Sequence, residues 1–212
     1  EAIRKKTVKN RGKLTLEGFG AGSKVDARKE TTVSTHARNS LKTKKECHLL
    51  YRILRHLTPT SILELGTSFG VSTAYIAEAC PKADIVSIEG EKNIYHLAKE
   101  NLDYDNTHLI NIDIDKYFIN QNKKYDCIII DANHTYEATL RYFEISLKTL
   151  NEGGVIIFDD IYWSSEMTRA WKEIIKKKEI HISIDLFKSG LIFSVPTQRK
   201  EHFILRTFQF IY

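Results

Sequence analysis

The chain has 212 residues, 42% apolar and 28% charged, which is an ordinary globular composition that excludes wholesale disorder. No apolar run reaches the ~18 residues of a membrane span. Residues 1–45 hold 13 Lys and Arg against 4 Asp and Glu, a net +9, and the other 167 residues hold 19 against 23, a net −4. The overall charge of +5 and the pI near 9.0 therefore describe a basic arm on a mildly acidic body and do not mark the body as a nucleic-acid binder.

Residues 1–35 show no sustained period and scatter Gly12, Gly18, Gly20 and Gly22 among Lys, Arg, Thr and Ser, which predicts an extended or mobile segment. The expected division is a basic extension over 1–38 and a domain over 39–212. Leu49, Leu50, Ile53, Leu54 and Leu57 then fall at helical spacing, and Pro59 closes that helix. Short apolar runs at 61–65, 84–88, 107–112, 126–130 and 154–158 read as strands buried on both faces, the mark of a parallel sheet. Between them, Tyr136, Leu140, Phe143, Leu147 and Leu150 form one helical stripe, and Met167, Ala170, Trp171, Ile174 and Ile175 form another. The alternation predicts a doubly wound α/β sheet. Segments 180–187, 191–195 and 202–208 are β-rich with short links and are expected to finish one edge as antiparallel strands. Cys47, Cys80 and Cys127 lie far apart in apolar contexts, as reduced, buried thiols of a cytoplasmic protein would. The chain opens on Glu1 and its one methionine is Met167, so an upstream piece is expected to be missing and targeting is left open.

The segment Glu64-Leu65-Gly66-Thr67-Ser68-Phe69-Gly70-Val71-Ser72-Thr73 follows the first strand and opens a helix. Open α/β sheets bind ligands at the carboxyl ends of their strands. Gly66 and Gly70 allow a sharp turn and close approach to a ligand, and Ser72 or Thr73 is placed to cap the helix. The spacing is neither the dinucleotide pattern nor a phosphate loop with its lysine. Glu89 closes the second strand about 20 residues beyond the glycines, where an acid hydrogen-bonds ribose hydroxyls, or stands as a solvated helix-start acid. Asp113 closes the third, where it meets an adenine amino group or merely turns the chain.

E-L-G-T-S-x-G-x-S-T after the first strand, an acid closing the second and D-A-N-H closing the fourth resemble class I S-adenosylmethionine-dependent methyltransferases over about residues 40–210. The resemblance implies a Rossmann-like, seven-stranded, mostly parallel sheet with helices on both faces and an antiparallel edge hairpin. It further implies a cofactor site drawn from Glu64, Gly66, Thr67, Ser68, Gly70, Ser72, Glu89, Asp113 and Asp131.

The fourth strand ends at Asp131-Ala132-Asn133-His134 and the fifth at Asp159-Asp160. If these strands are neighbours, ~4.8 Å apart, their carboxylates converge. Three acids together call for a cation, and all-oxygen ligands suit Mg²⁺, Mn²⁺ or Ca²⁺. Such an ion lowers the pKa of a hydroxyl, and His134 is placed to take its proton. The plainer readings are turn-capping acids and a helix-start histidine. D-A-N-H-T-Y-E followed by G-G-V-I-I-F-D-D is similar to metal-dependent O-methyltransferases of the macrolide-sugar group and, more distantly, to catechol O-methyltransferase. By motif, Asp131, Asp159 and Asp160 would hold the metal, with His134 and Asp131 catalytic. Asp160, where the catechol group has Asn, favours the sugar-type relatives. Tyr162 and Trp163 follow the acid pair and would wall an acceptor pocket or simply pack.

The expected partner is a small-molecule hydroxyl acceptor, with a second copy of the chain compatible and a membrane excluded. A nucleic-acid methyltransferase using the arm is disfavoured: the loop after the fourth strand is not of the D/N-P-P-Y/F type, and Phe19 alone interleaves the arm's basic residues. A non-catalytic cofactor-binding protein would not need the acid and histidine set, and a nicotinamide oxidoreductase would need the missing glycine pattern. For the arm, a solvated tail, a cover over the active site and a polyanion-binding segment are all open.

Overall fold

The computed structural model describes residues 1–17, 29–119, 121–195 and 199–206. The chain divides into two units, Glu1–Gln121 and Asn122–Tyr212. The first carries α1 (Ala2–Lys9), β1 (Lys13–Leu16), β2 (Lys29–Thr32), α2 (Val33–Ser40), α3 (Lys44–Leu57), β3 (Ser61–Leu65), α4 (Val71–Ala79), β4 (Asp84–Glu89), α5 (Lys92–Asn101), β5 (Thr107–Asn111) and α6 (Ile114–Ile119). The second carries β6 (Tyr125–Ile130), α7 (Tyr136–Thr149), β7 (Leu150–Asp159), α8 (Ser165–Ile174), β8 (Ile182–Asp185), β9 (Ser189–Phe193) and β10 (Glu201–Ile204).

Eight strands form one mixed sheet in the order β10-β8-β9-β7-β6-β3-β4-β5, flanked by helices; β1 and β2 pair antiparallel as a separate two-stranded sheet. Ile62, Leu63 and Leu65 on β3 and Cys127, Ile128, Ile129 and Ile130 on β6 are all buried, as strands covered on both faces require. The helices begin where sequence chemistry supplies a cap. Thr43 and Glu46 form a reciprocal capping box on α3, and Thr135 and Ser164 cap α7 and α8.

Two expectations change. The tail does not finish the edge wholly antiparallel. β9 runs antiparallel to β7 and β8, but β10 pairs parallel to β8, making eight strands instead of seven. Residues 207–208 of that tail segment lie outside the described residues. The arm is also not simply extended: its described part holds two helices and a hairpin. Its elements have four or eight residues, too short to show a sustained period, and Leu14, Val33 and Ala37 are buried. Gly18, Gly20 and Gly22 lie outside the described residues.

Candidate active site

In the first unit, the parallel register sets Leu65 beside Ile88. The N–H groups of Gly66 and Thr67 both donate to the Ile88 carbonyl at 3.0 Å, folding the loop over the end of β4. The Ser68 N–H then donates to Glu89 Oε2 at 2.8 Å. This path needs positive φ at Gly66 (105°), Ser68 (49°) and Gly70 (83°). A Cβ on Gly70 would lie 2.8 Å from the Leu102 side chain, so glycine is required there twice over. α4 starts from Gly70 with no side-chain cap, leaving the positive end of its dipole for an anionic group.

Not every residue expected in the loop is turned outward. Glu64 is fully buried and accepts from Thr73 Oγ1 and Ser87 Oγ, both at 2.6 Å, so it ties β3, α4 and β4 together from within. Thr67 is also buried and shares a hydrogen bond of 2.6 Å with Ser87. Ser72 is buried and caps nothing. The Ser68 hydroxyl is buried and has no hydrogen-bond partner among the described residues. Asp113 follows β5 and receives the Lys116 N–H at 3.1 Å, so its side chain turns and caps α6.

Glu89 is the polar group best prepared for a ligand. Its Oε1 accepts from the Glu91 N–H at 2.9 Å and its Oε2 from Ser68. Burial pushes its carboxyl up to about 7 despite those two donors, and the nearby Glu91 and Glu64 charges push the same way. A ligand hydroxyl donating to it would relieve that cost. The alternative of a solvated helix-start acid does not describe this residue.

The arm reaches the same loop. Leu14, Val33 and Ala37 form one buried cluster with Phe69 of the glycine loop and Ile94 of α5, and Val8, Leu16, Leu41 and Leu97 pack around it. The His36 ring meets Phe69 edge-on at 5.7 Å. The Glu17 N–H donates to Glu91 Oε2 at 2.7 Å, and Asn93 Nδ2 donates to the Thr15 carbonyl at 2.7 Å. Lys6 of α1 donates to Asn101, whose amide in turn donates to the Phe69 carbonyl at 3.1 Å. Sequence reasoning left a cover over the active site open as one reading of the arm, but missed the residues that dock it and Glu91 with them. The signal was a large aromatic in a glycine loop, which needs a hydrophobic cover.

In the second unit, β6 and β7 are parallel neighbours with Ile130 opposite Phe158, so Asp131 and Asp159 stand at adjacent strand ends. After Asp131 the chain turns through Asn133 at φ 47°, presenting His134 before α7. His134 Nε2 lies 3.7 Å from Asp131 Oδ1, both side chains largely buried; this nitrogen has no hydrogen-bond partner among the described residues. Trp163 is 63% exposed with its ring 5.7 Å from that of His134. Tyr162 turns the other way and donates to buried Asp185, which also accepts from Phe187 N–H and Arg206. Burial alone would raise the Asp185 carboxyl, but these donors hold it below the ordinary range. Tyr162 is thus structural, and Trp163 is the aromatic left beside His134.

The three acids proposed as metal ligands do not gather. Among the described residues, no group of three or more His, Cys, Asp or Glu side chains could hold a metal ion. Asp160, at φ 51°, pairs with Lys188 at 3.5 Å, and Asp159 receives Ser189 Oγ at 3.5 Å through the antiparallel register of β7 and β9. Lys188 and the register of the hairpin were invisible in the motif. As arranged, these residues do not fit a divalent cation.

The glycine loop and Glu89 do fit S-adenosylmethionine, and residues 63–161 match a family described as a methyltransferase domain. Over that segment the chain is similar to methyltransferase domains. Its fold is shared by several solved structures. The O-methyltransferase TomG from Streptomyces achromogenes, involved in tomaymycin synthesis and solved with S-adenosylmethionine, is 18% identical with a TM-score of 0.64, over 74% of this chain and 82% of its own. An O-methyltransferase from Bacillus cereus with S-adenosylhomocysteine is 18% identical with a TM-score of 0.63, over 76% and 86%. The Podospora anserina methyltransferase PaMTH1, bound to S-adenosylhomocysteine, is 17% identical with a TM-score of 0.66, over 78% and 82%. No curated protein matches the chain at a significant level. No helix among the described residues is long and apolar enough to cross a membrane.

Proposed function

We propose that the chain transfers the methyl group of S-adenosylmethionine to a hydroxyl oxygen of a small molecule, with His134 as general base. The observation that carries this reading is His134 itself. Its Nε2 is buried, has no hydrogen-bond partner among the described residues and lies 3.7 Å from a carboxylate. A base in that state accepts a proton from a bound hydroxyl, and Asp131 stabilises the imidazolium that results. The solved O-methyltransferases of the same fold support oxygen as the acceptor atom.

When bound, S-adenosylmethionine supplies an electrophilic methyl on a sulfonium that leaves as neutral sulfide, so no acid is needed for departure. The chain's own residues do the rest. Glu89 accepts the ribose hydroxyls, Gly66 and Gly70 let the backbone approach, and the uncapped end of α4 favours the carboxylate of the methionine part. Trp163 offers the acceptor a flat wall with few rotors. No step is routed through a divalent ion, because Asp160 is held by Lys188 and Asp159 accepts from Ser189.

The test is methyl transfer from labelled S-adenosylmethionine to a panel of sugar, phenol and polyketide hydroxyls, each paired with its amine analogue. Transfer to oxygen is expected, and transfer confined to nitrogen would overturn the assignment. His134→Ala should lower kcat by roughly 10²–10⁴ with cofactor affinity unchanged, as loss of a general base does. An unaltered kcat would remove His134 from the chemistry.

A further inference from the structure

The first unit also contains a cavity of about 360 Å³ that the methyl-transfer reading does not use. Its walls include Tyr51, Tyr75, Tyr104, His48, Glu1 and Glu78, contributed by the residue before α1, α3, α4 and the segment after α5; among the described residues no lysine or arginine lines it. The tyrosine hydroxyls are turned onto the carboxylates: Tyr75 donates to Glu1 at 2.7 Å and Tyr104 to Glu78 at 3.0 Å. The His48 and Tyr75 rings meet at 5.8 Å and 58°, forming two inclined walls. Arg4 pairs with Glu1 at 3.2 Å and offsets its charge, so Glu78 is the carboxylate that gives the cavity its negative character.

We infer that this cavity binds a compact organic cation of the trimethylammonium type. Aromatic faces attract such a cation through their negative quadrupole. Each phenol that donates to a carboxylate is made more electron-rich, and Glu78 supplies the countercharge. Burial and the Glu1 carboxylate push the Tyr75 hydroxyl up to about 12, so it remains a donor over the whole working range. An anion is opposed by Glu78.

The test is a titration of the purified full chain with choline, followed by ligand-detected NMR of its methyl signal. It is repeated with 3,3-dimethylbutan-1-ol, the neutral carbon isostere. Saturable choline binding in the millimolar range is expected from a few cation–π contacts, with the isostere at least about fivefold weaker. Glu78 is exposed, so Glu78→Gln should fold normally and weaken choline about fivefold. Tyr104→Leu, checked for an unchanged melting midpoint, should weaken it further. Equal binding of the isostere, or choline binding unaffected by Glu78→Gln, would overturn the inference, as would no saturation by about 50 mM. Saturating S-adenosylhomocysteine should leave the choline signal intact; its loss would move the binding to the cofactor site and refute a separate cavity.

Discussion

The proposed ribose contact of Glu89 would couple cofactor binding to protons in a way that can be measured. The Glu89 carboxyl sits at about 7 in the folded chain against an ordinary value of 4.5. The folded state therefore binds the proton more tightly than the unfolded one. The group costs nothing below pH 4.5, and its cost grows as pH rises from 4.5 to 7, reaching roughly 3 kcal/mol above that. In the proposed complex ribose hydroxyls donate to the ionised form, so cofactor binding would first strip the proton wherever it is present. With half-ionisation near 7, about a tenth of the carboxylate is charged at pH 6, and S-adenosylhomocysteine should bind roughly tenfold more weakly there than at pH 8. Calorimetry at pH 7 in buffers of different ionisation enthalpy should show about half a proton released on binding. In Glu89→Gln, the proton release attributable to this site and the tenfold pH effect should both vanish. Affinity at pH 8 should fall by about 10- to 100-fold through loss of hydrogen bonds to a charged acceptor. The thermal midpoint of the wild-type chain should fall relative to that of Glu89→Gln as pH rises from 5 to 8. A pH dependence identical in the wild type and Glu89→Gln would refute both the ribose role and the linkage.

Leu14→Ala, at a position 3% exposed in the cluster that holds Phe69, should cost about 2–4 kcal/mol and weaken S-adenosylhomocysteine binding; denaturant melts and calorimetry would show either result. Addition of EDTA should leave the thermal midpoint and methyl transfer unchanged, since Asp159 and Asp160 already have protein partners. A loss restored by Mg²⁺ would mean that the acids regroup around an ion.

Much of the sheet was legible because buried parallel strands are apolar on both faces and glycine loops announce themselves. The segment Ser61–Leu65 was read in full, and Glu89 and His134 were singled out from position alone, since strand ends carry chemistry in open sheets. What failed was whatever depended on a side chain's direction. Glu64 looks like part of a ligand loop, yet it points inward to Thr73 and Ser87. Asp159 and Asp160 match a metal motif, yet the β7–β9 register brings Ser189 to one and Lys188 reaches the other from 28 residues downstream. β10 reads as a third antiparallel strand because pairing direction leaves no trace in composition.

The arm shows why charge and packing have to be argued separately. A solvated tail, a cover over the active site and a polyanion-binding segment were all open from the sequence, and Lys5, Lys6, Lys9, Arg11 and Lys13 are exposed. The contacts that tie it to the loop are mostly of another kind. They come from Leu14, Val33 and Ala37, from the backbone of Thr15 and Glu17, and from the His36 ring. Burial of that apolar surface is insensitive to salt, whereas an arm held by its lysines would loosen as ionic strength rose. Cofactor affinity should therefore be nearly flat between low and moderate salt and still collapse when Leu14 is truncated. That pair of responses assigns the arm's positive charge to solubility or an outside partner, and its apolar face to keeping Phe69, and with it the glycine loop, in the proposed cofactor-binding conformation.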